Sequence, residues 1–252
     1  MANRVAALYD IHGNLPALEA VLEELQQLSV DAIVVGGDVV PGPMPRECLE
    51  LLRANRIPTA FIHGNGESAA LESLRGGPLA HVPEAFRPAV EWSARQVPEE
   101  FVTEMQGWPT TLQLDIEGVG DTLFCHATPR NDTEIFTRLS PDERIRTMFA
   151  GAPCDLAVCG HTHMQFDRTV DAIRIVNAGS VGMPFGDPGA CWLLLGPDVQ
   201  LRRTNYDLDA AAQRLRRSEF PGVEQFLERQ VLHPPSEEQM LAAYAKADGR
   251  ES

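Results

Sequence analysis

Val5-Ala6-Ala7-Leu8-Tyr9-Asp10-Ile11-His12-Gly13-Asn14 is the stretch from which the rest of the chain can be read. Residues 5–8 are a short apolar run that stops at a polar turn. Beyond Asn14, Leu18, Val21, Leu22, Leu25 and Leu28 recur at three- and four-residue steps, the spacing of an amphipathic helix. The stretch therefore reads as strand, loop and helix, with Asn14 placed to cap the helix and Pro16 accepted in its first turn. Residues 32–35 repeat the strand signature before Gly36-Gly37-Asp38, and Cys48, Leu51 and Leu52 give the next helix its apolar side. Residues 58–62 read as a third strand that ends at Gly64-Asn65. Strands separated by helices of this length imply crossover connections and a largely parallel α/β unit.

Further along, residues 86–105 have helical spacing interrupted by Pro88 and Pro98, which predicts two shorter helices. Residues 111–116 and 122–125 read as paired strands, 141–149 as a helix, and 156–159 as a strand leading into Gly160-His161-Thr162-His163. Residues 166–170, 173–176, 191–195 and 199–204 continue as strands. Beyond Asp207 the composition turns to charged, Arg- and Glu-rich helix, with Phe220, Val223, Phe226, Leu227 and Val231 as its packing face. The expected organisation is one domain over 1–206 and a C-terminal helical appendage over 207–252.

Composition narrows the function. The 252 residues are 44% hydrophobic and 23% charged, enough apolar material for a sizeable core. Acidic side chains outnumber basic ones 36 to 21, and the formal charge of -15 repels nucleic-acid backbones and anionic membranes. Lys246 is the single lysine, so neither Schiff-base nor P-loop chemistry has a lysine in the body of the chain. Five scattered cysteines with no C-x-x-C pair suit reduced thiols and a cytoplasmic setting. The apolar run at 5–8 is too short for a signal peptide or a membrane span.

Asp10-x-His12, Gly37-Asp38, Gly64-Asn65, His126 and Gly160-His161-x-His163 each follow a predicted strand. In an open α/β sheet such strand ends line one crevice. Seven carboxylate, imidazole and amide donors would converge there without thiolates, a set suited to two divalent ions such as Mn, Fe, Ni, Co or Zn. Two metals held close need a shared anionic ligand, and Asp38 is the natural bridge.

In order and approximate spacing, these motifs resemble those of the calcineurin-like metallophosphoesterases, over about residues 4–205. Asn177-Ala178-Gly179-Ser180-Val181-Gly182 and Asp187-Pro188-Gly189 look like the small prokaryotic branch of that family. The resemblance implies a two-layered β-sandwich flanked by helices, with a dinuclear centre at one edge. It makes Asp10, His12 and His163 ligands of one metal and Asn65, His126 and His161 ligands of the other. Asp38 would bridge them, and a hydroxide held between the ions would be the nucleophile. Asp38, Asn65 and His126 are accordingly the expected catalytic positions.

The implied activity is hydrolysis of a small phosphate mono- or diester; the competing reading is a scaffold of the same fold with weak or no catalysis. No nucleic-acid or membrane partner is expected, and a homo-oligomer is compatible with either reading. Arg130 is positioned to clamp a phosphate or to form a surface salt bridge, and Asn14 to contact substrate or cap its helix. Two departures from the family pattern stand out. Gly66 occupies the place of the histidine thought to protonate the leaving group, with His63 the nearest replacement or a structural histidine. Tyr9 stands where a small hydroxyl residue commonly precedes the first aspartate, so it either narrows the mouth of the site or packs.

Overall fold

The structure, a computed structural model, describes residues 2–250. Strand β1 (Val5–Leu8) is buried along its whole length, because both of its faces are covered. Ala6 and Leu8 pack with Leu18, Val21 and Leu25 of helix α1 (Leu15–Gln27), while Val5 and Ala7 face the opposite way, toward Phe124, Val158 and Val176. That two-sided burial explains the uninterrupted apolar run, since a strand covered on both faces has no polar alternation to display.

The remaining elements follow in chain order: β2 (Ala32–Val35), α2 (Pro45–Ala54), β3 (Thr59–Phe61), α3 (Asn65–Leu74), α4 (Arg87–Gln96), α5 (Glu99–Gln106), β4 (Thr111–Ile116) and β5 (Gly120–Cys125). Then come α6 (Asp142–Met148), β6 (Leu156–Cys159), β7 (Phe166–Val170), β8 (Ile173–Asn177), β9 (Ala190–Leu195) and β10 (Val199–Thr204). One sheet runs β10-β9-β1-β2-β3 and the other β4-β5-β6-β8-β7. Their inner faces meet across Val5, Ala7, Tyr9, Phe124, Val158 and Leu193. Helices cover the outer faces, with Ile145 and Met148 of α6 packing on Ala157, Phe166 and Ile175. The architecture is a two-layered sandwich flanked by helices, in the α/β class.

The sheets are less parallel than the sequence suggested. Strands β1, β2 and β3 are mutually parallel, as are β5, β6 and β8, but β9, β10, β4 and β7 pair antiparallel at the flanks. Hydrophobic periodicity reports which faces of a strand are buried and carries no information about its neighbour's direction. The parallel strands β1, β2, β3, β5 and β6 deliver Asp10, Asp38, Asn65, His126 and His161 from their C-terminal ends. The break at Pro98 separates α4 from α5 as expected, whereas helix α3 after Gly64-Asn65 was not anticipated.

Beyond Asp207 the chain forms α7 (Leu208–Leu215), a 3-10 turn, α8 (Val223–Phe226), a π turn over Leu227–Leu232 and α9 (Glu237–Ala243). Asp207 caps α7 by accepting from the Ala210 N–H at 2.9 Å. Leu215, Phe220, Phe226, Leu227 and Val231 bury together against Met44, Trp92 and Met183. Arg214 also pairs with Glu19 of α1 at 2.5 Å. Leu215 is fully buried, so Leu215→Ala is expected to destabilise the protein by about 3 kcal/mol, measurable by chemical denaturation. A cost under about 1 kcal/mol would mean that the appendage contributes little to the cooperative fold. Among the described residues, no helix is long and apolar enough to cross a membrane, and the five cysteines are free.

Candidate metal centre

Two groups of side chains converge at this edge. Asp10, His12 and His163 present donor atoms within 4.8 Å of one another, and so do Asp10, Asp38 and His126. All five are buried. Asp10 Oδ1 lies 3.2 Å from His163 Nε2, 3.8 Å from His12 Nε2 and 3.9 Å from His126 Nε2. Asp38, a member of the second group, also reaches the first, with Oδ2 3.6 Å from His12 Nε2 and Oδ1 3.5 Å from His126 Nε2. His126 Nε2 is 3.0 Å from Asn65 Oδ1, and the His126 and His161 rings lie 5.2 Å apart. His161 also donates its backbone N–H to Asp10 Oδ2 at 2.9 Å.

The backbone is forced into this arrangement. Asp10, His12, Asp38, His161 and His163 have φ between +46° and +64°. Side-chain-bearing residues adopt this left-handed region rarely, and it is concentrated where a structure must aim particular groups. The turns that aim them need glycine. A Cβ on Gly182 would lie 1.9 Å from the Ile11 carbonyl oxygen, and one on Gly42 would lie 1.8 Å from that of His12. The Asn177–Gly182 segment buttresses the loops from behind. Asn177 donates to the Gly160 carbonyl at 2.6 Å, and the Ser180 hydroxyl donates to the Asp10 carbonyl at 2.7 Å.

Three imidazoles are fixed as donors at one nitrogen. His12, His126 and His163 each hold Nδ1 against a backbone carbonyl, those of Pro41 (3.0 Å), Gly36 (2.9 Å) and Met183 (2.8 Å). A carbonyl only accepts, so Nδ1 carries the hydrogen, and in the neutral ring Nε2 turns a lone pair into the site. Those lone pairs face carboxylate oxygens, and buried Asp10 Oδ1 has no hydrogen-bond partner. Acceptors crowded against acceptors need a cation among them, and this donor set of carboxylate, imidazole and amide oxygen fits divalent metal.

Without such a cation, protons must compensate. Burial and the neighbouring imidazoles of His163 and His126 push His12 down to about 4, against the pull of Asp10. Burial and His126 push His161 down to about 3. Burial likewise opposes a charge on His126, but Asp38 and Asp10 outweigh it and raise it to about 9. Asp38 is pushed up to about 7 by burial, with Glu67 and Asp10 adding to the effect and His126 opposing it. For Asp10, burial raises the carboxyl, yet the charges of His163, His126 and His12 bring it well below its ordinary range.

Glu67 was not singled out in the sequence. It is fully buried and accepts four backbone N–H groups: Asp38 (2.8 Å) and Gly64 (2.9 Å) on Oε2, Val39 (2.8 Å) and Val40 (3.3 Å) on Oε1. It thereby ties the loop that carries Asp38 to the first turn of α3. Its one sequence signal is its place three residues after Gly64, the spacing of a helix-start box.

Other sequence expectations take different places. Asn14 is fully buried, and its amide is engaged throughout: Oδ1 accepts from Ala17 N–H, and Nδ2 donates to the Gly182 carbonyl and the Tyr206 hydroxyl. It caps α1 and turns no polar atom toward a substrate. Arg130 pairs with Glu134 at 2.5 Å and donates to the Thr147 carbonyl at 3.2 Å, the salt-bridged alternative. Tyr9 lies wholly inside the sandwich and donates to the Val158 carbonyl at 3.1 Å, so it packs and does not narrow the mouth.

At Gly66, an added Cβ would stand 2.0 Å from the Val40 carbonyl oxygen and 2.9 Å from Asp38 Oδ1. The Gly66 N–H donates to Asp38 Oδ1 at 2.6 Å. This turn holds the aspartate and admits no side chain, so a histidine grafted there cannot act as a proton donor. His63 Nδ1 lies 3.3 Å from Ser68 Oγ, whose hydroxyl donates to Asp132 at 3.2 Å.

The chain has clear relatives. The profile described as the calcineurin-like phosphoesterase superfamily domain matches residues 4–197. An uncharacterised protein of Methanocaldococcus jannaschii is 27% identical over 237 residues, 86% of this chain and 93% of its own length. The crystal structure of a metallophosphoesterase from Sphaerobacter thermophilus superposes with a TM-score of 0.70 at 28% identity, covering 91% of this chain and 98% of that one. A hypothetical protein of Pyrococcus horikoshii shares the fold with a TM-score of 0.77 at 19% identity, covering 92% and 99%.

Proposed function

This chain belongs to the calcineurin-like phosphoesterase superfamily, and from that premise we propose that it hydrolyses small phosphate mono- or diesters at a centre of two divalent ions. The observation that carries the reading is the pair of donor groups sharing Asp10, with Asp38 between His12 and His126. In this reading Asp10, His12 and His163 hold one ion, while Asn65, His126 and His161 hold the other. Asp38 bridges, and Mn, Fe, Ni, Co and Zn all suit the ligands. Divalent ions held there supply Lewis acidity, which neutralises phosphoryl oxygens and activates water for in-line attack near neutral pH.

The chain's own residues do the positioning. Nδ1–H donation to Pro41, Gly36 and Met183 locks the three imidazoles so that each Nε2 remains free to bind. Glu67 and Gly66 hold Asp38 in its loop. No side-chain nucleophile is required, and burial drives the nearby thiols of Cys125 and Cys159 upward, away from thiolate chemistry. The scaffold alternative has no use for five strained backbone positions aimed at one cluster.

Elemental analysis of protein purified without chelators tests the reading. It should approach about two transition-metal ions per chain, and the protein should cleave a bis-nitrophenyl phosphate diester. Chelation should abolish turnover, and added Mn should restore it. Metal-replete protein that hydrolyses neither aryl mono- nor diesters would favour the scaffold.

A further inference from the structure

Tyr244 ends helix α9, on a segment pinned to two loops of the sandwich. The Gly186 N–H donates to the Pro235 carbonyl at 2.9 Å, fastening the segment to the loop between β8 and β9. Arg138 pairs with Glu237 at 2.5 Å, and the Thr137 hydroxyl donates to buried Asp248 at 2.7 Å, fastening it to the loop that follows His126. Between these anchors Leu241 buries against Met164 and Phe185, and Tyr244 packs on that cluster. The Phe185 ring stacks on His163 with centroids 5.4 Å apart, and its N–H donates to the His163 carbonyl at 3.2 Å. His163 in turn faces Asp10.

The chain has three tyrosines, and two have hydroxyls that hydrogen-bond inside the fold. Tyr9 donates to Val158, and Tyr206 is engaged on its oxygen, which accepts from Asn14. The half-buried Tyr244 has no hydroxyl hydrogen bond among the described residues. A half-buried phenol normally finds a partner, so this one, its ring packed on the cluster that includes Phe185 behind His163, is available to a ligand. Burial, with the Asp10 carboxylate adding to it, pushes the phenol up to about 12, so the group remains a hydrogen donor at neutral pH.

The substrate's need is complementary. A phosphate ester entering this edge meets carboxylates and imidazoles, while Arg130 is held by Glu134 and Lys246 is the single lysine of the chain. A neutral donor aimed at a phosphoryl oxygen stabilises the oxyanion without adding to a crowded charge cluster. Resting on the phosphoesterase reading above, we propose that the Tyr244 hydroxyl donates a hydrogen bond to a phosphoryl oxygen of the substrate on the Asp10 side of the centre. The C-terminal segment thereby contributes a substrate-binding group to a site whose metal donors come from the sandwich.

Tyr244→Phe removes the hydroxyl and keeps the packing ring. Calorimetric titration of metal-loaded protein with inorganic phosphate should show affinity reduced about tenfold, and kcat/KM for an aryl phosphodiester should fall about ten- to a hundredfold. Metal content and melting temperature should match wild type. Phosphate affinity and kcat/KM both within twofold of wild type would overturn the proposal, as would losses accompanied by reduced metal content or a lowered melting temperature. Wild-type protein that binds metal but cleaves no phosphate ester would instead overturn the enzymatic reading, and the phosphate titration would still decide the role of Tyr244.

Discussion

Asp38→Asn is expected to lower kcat/KM for an aryl phosphodiester by at least about a thousandfold, beyond the roughly 10- to 100-fold typical of losing an outer partner of a metal ligand. Asp38 turns one oxygen toward each half of the centre, Oδ2 to His12 at 3.6 Å and Oδ1 to His126 at 3.5 Å. The amide presents one oxygen and one NH2 group. Its oxygen can retain the Gly66 N–H, which leaves the NH2 to donate to an imidazole Nε2 that should bind metal. Elemental analysis should therefore show reduced occupancy at both sites.

The metal-free protein should not lose stability in step. Burial already pushes the Asp38 carboxyl up to about 7, and a neutral isostere escapes the cost of confining that charge. Unchanged metal content and activity in Asp38→Asn would sink the bridging assignment. Loss of activity together with a collapsed melting temperature would show that Asp38 serves the fold first.

The candidate ligands were legible because each lies within four residues of the end of its strand. A parallel strand brings whatever comes next in the sequence to one edge, so Asp10, Asp38, Asn65, His126 and His161 could be placed together before any contact was known. The two-layered sandwich was legible only through family resemblance, and the antiparallel pairing of β9 with β1 was not legible at all, since β9 reaches its place from a remote part of the chain. Arg130 and Asn14 show a different limit. Each is chemically suited to phosphate, but its neighbours' demands decide its use, with Glu134 taking the guanidinium and the α1 terminus taking the amide. Tyr244 was illegible because its significance depends on where α9 docks, and nothing in the spacing around it specifies that.

Glu67→Gln is expected to destabilise the protein by about 4 kcal/mol, lowering its melting temperature by about 10 °C, although the substitution is nearly isosteric. The buried carboxylate is sustained by four N–H donors and by its place in the first turn of α3, where the helix dipole favours negative charge. An amide supplies one oxygen. Whichever way it turns, its NH2 group points at backbone N–H groups, which are donors as well, and at least one pair of them is left buried and unsatisfied.

The damage should extend to the centre, because one of those N–H groups belongs to Asp38 itself. With the loop released, metal affinity should fall by about 10- to 100-fold, a loss that excess metal in the assay can partly recover. Such recovery separates Glu67 from Asp38, whose replacement alters the donor set itself. Glu67→Asp keeps the charge but is one methylene shorter, so it should retain only part of the N–H set and fall between wild type and Gln in both stability and metal affinity. If denaturation midpoints and metal titrations for Glu67→Gln match wild type, the Asp38 loop is held by something other than this carboxylate.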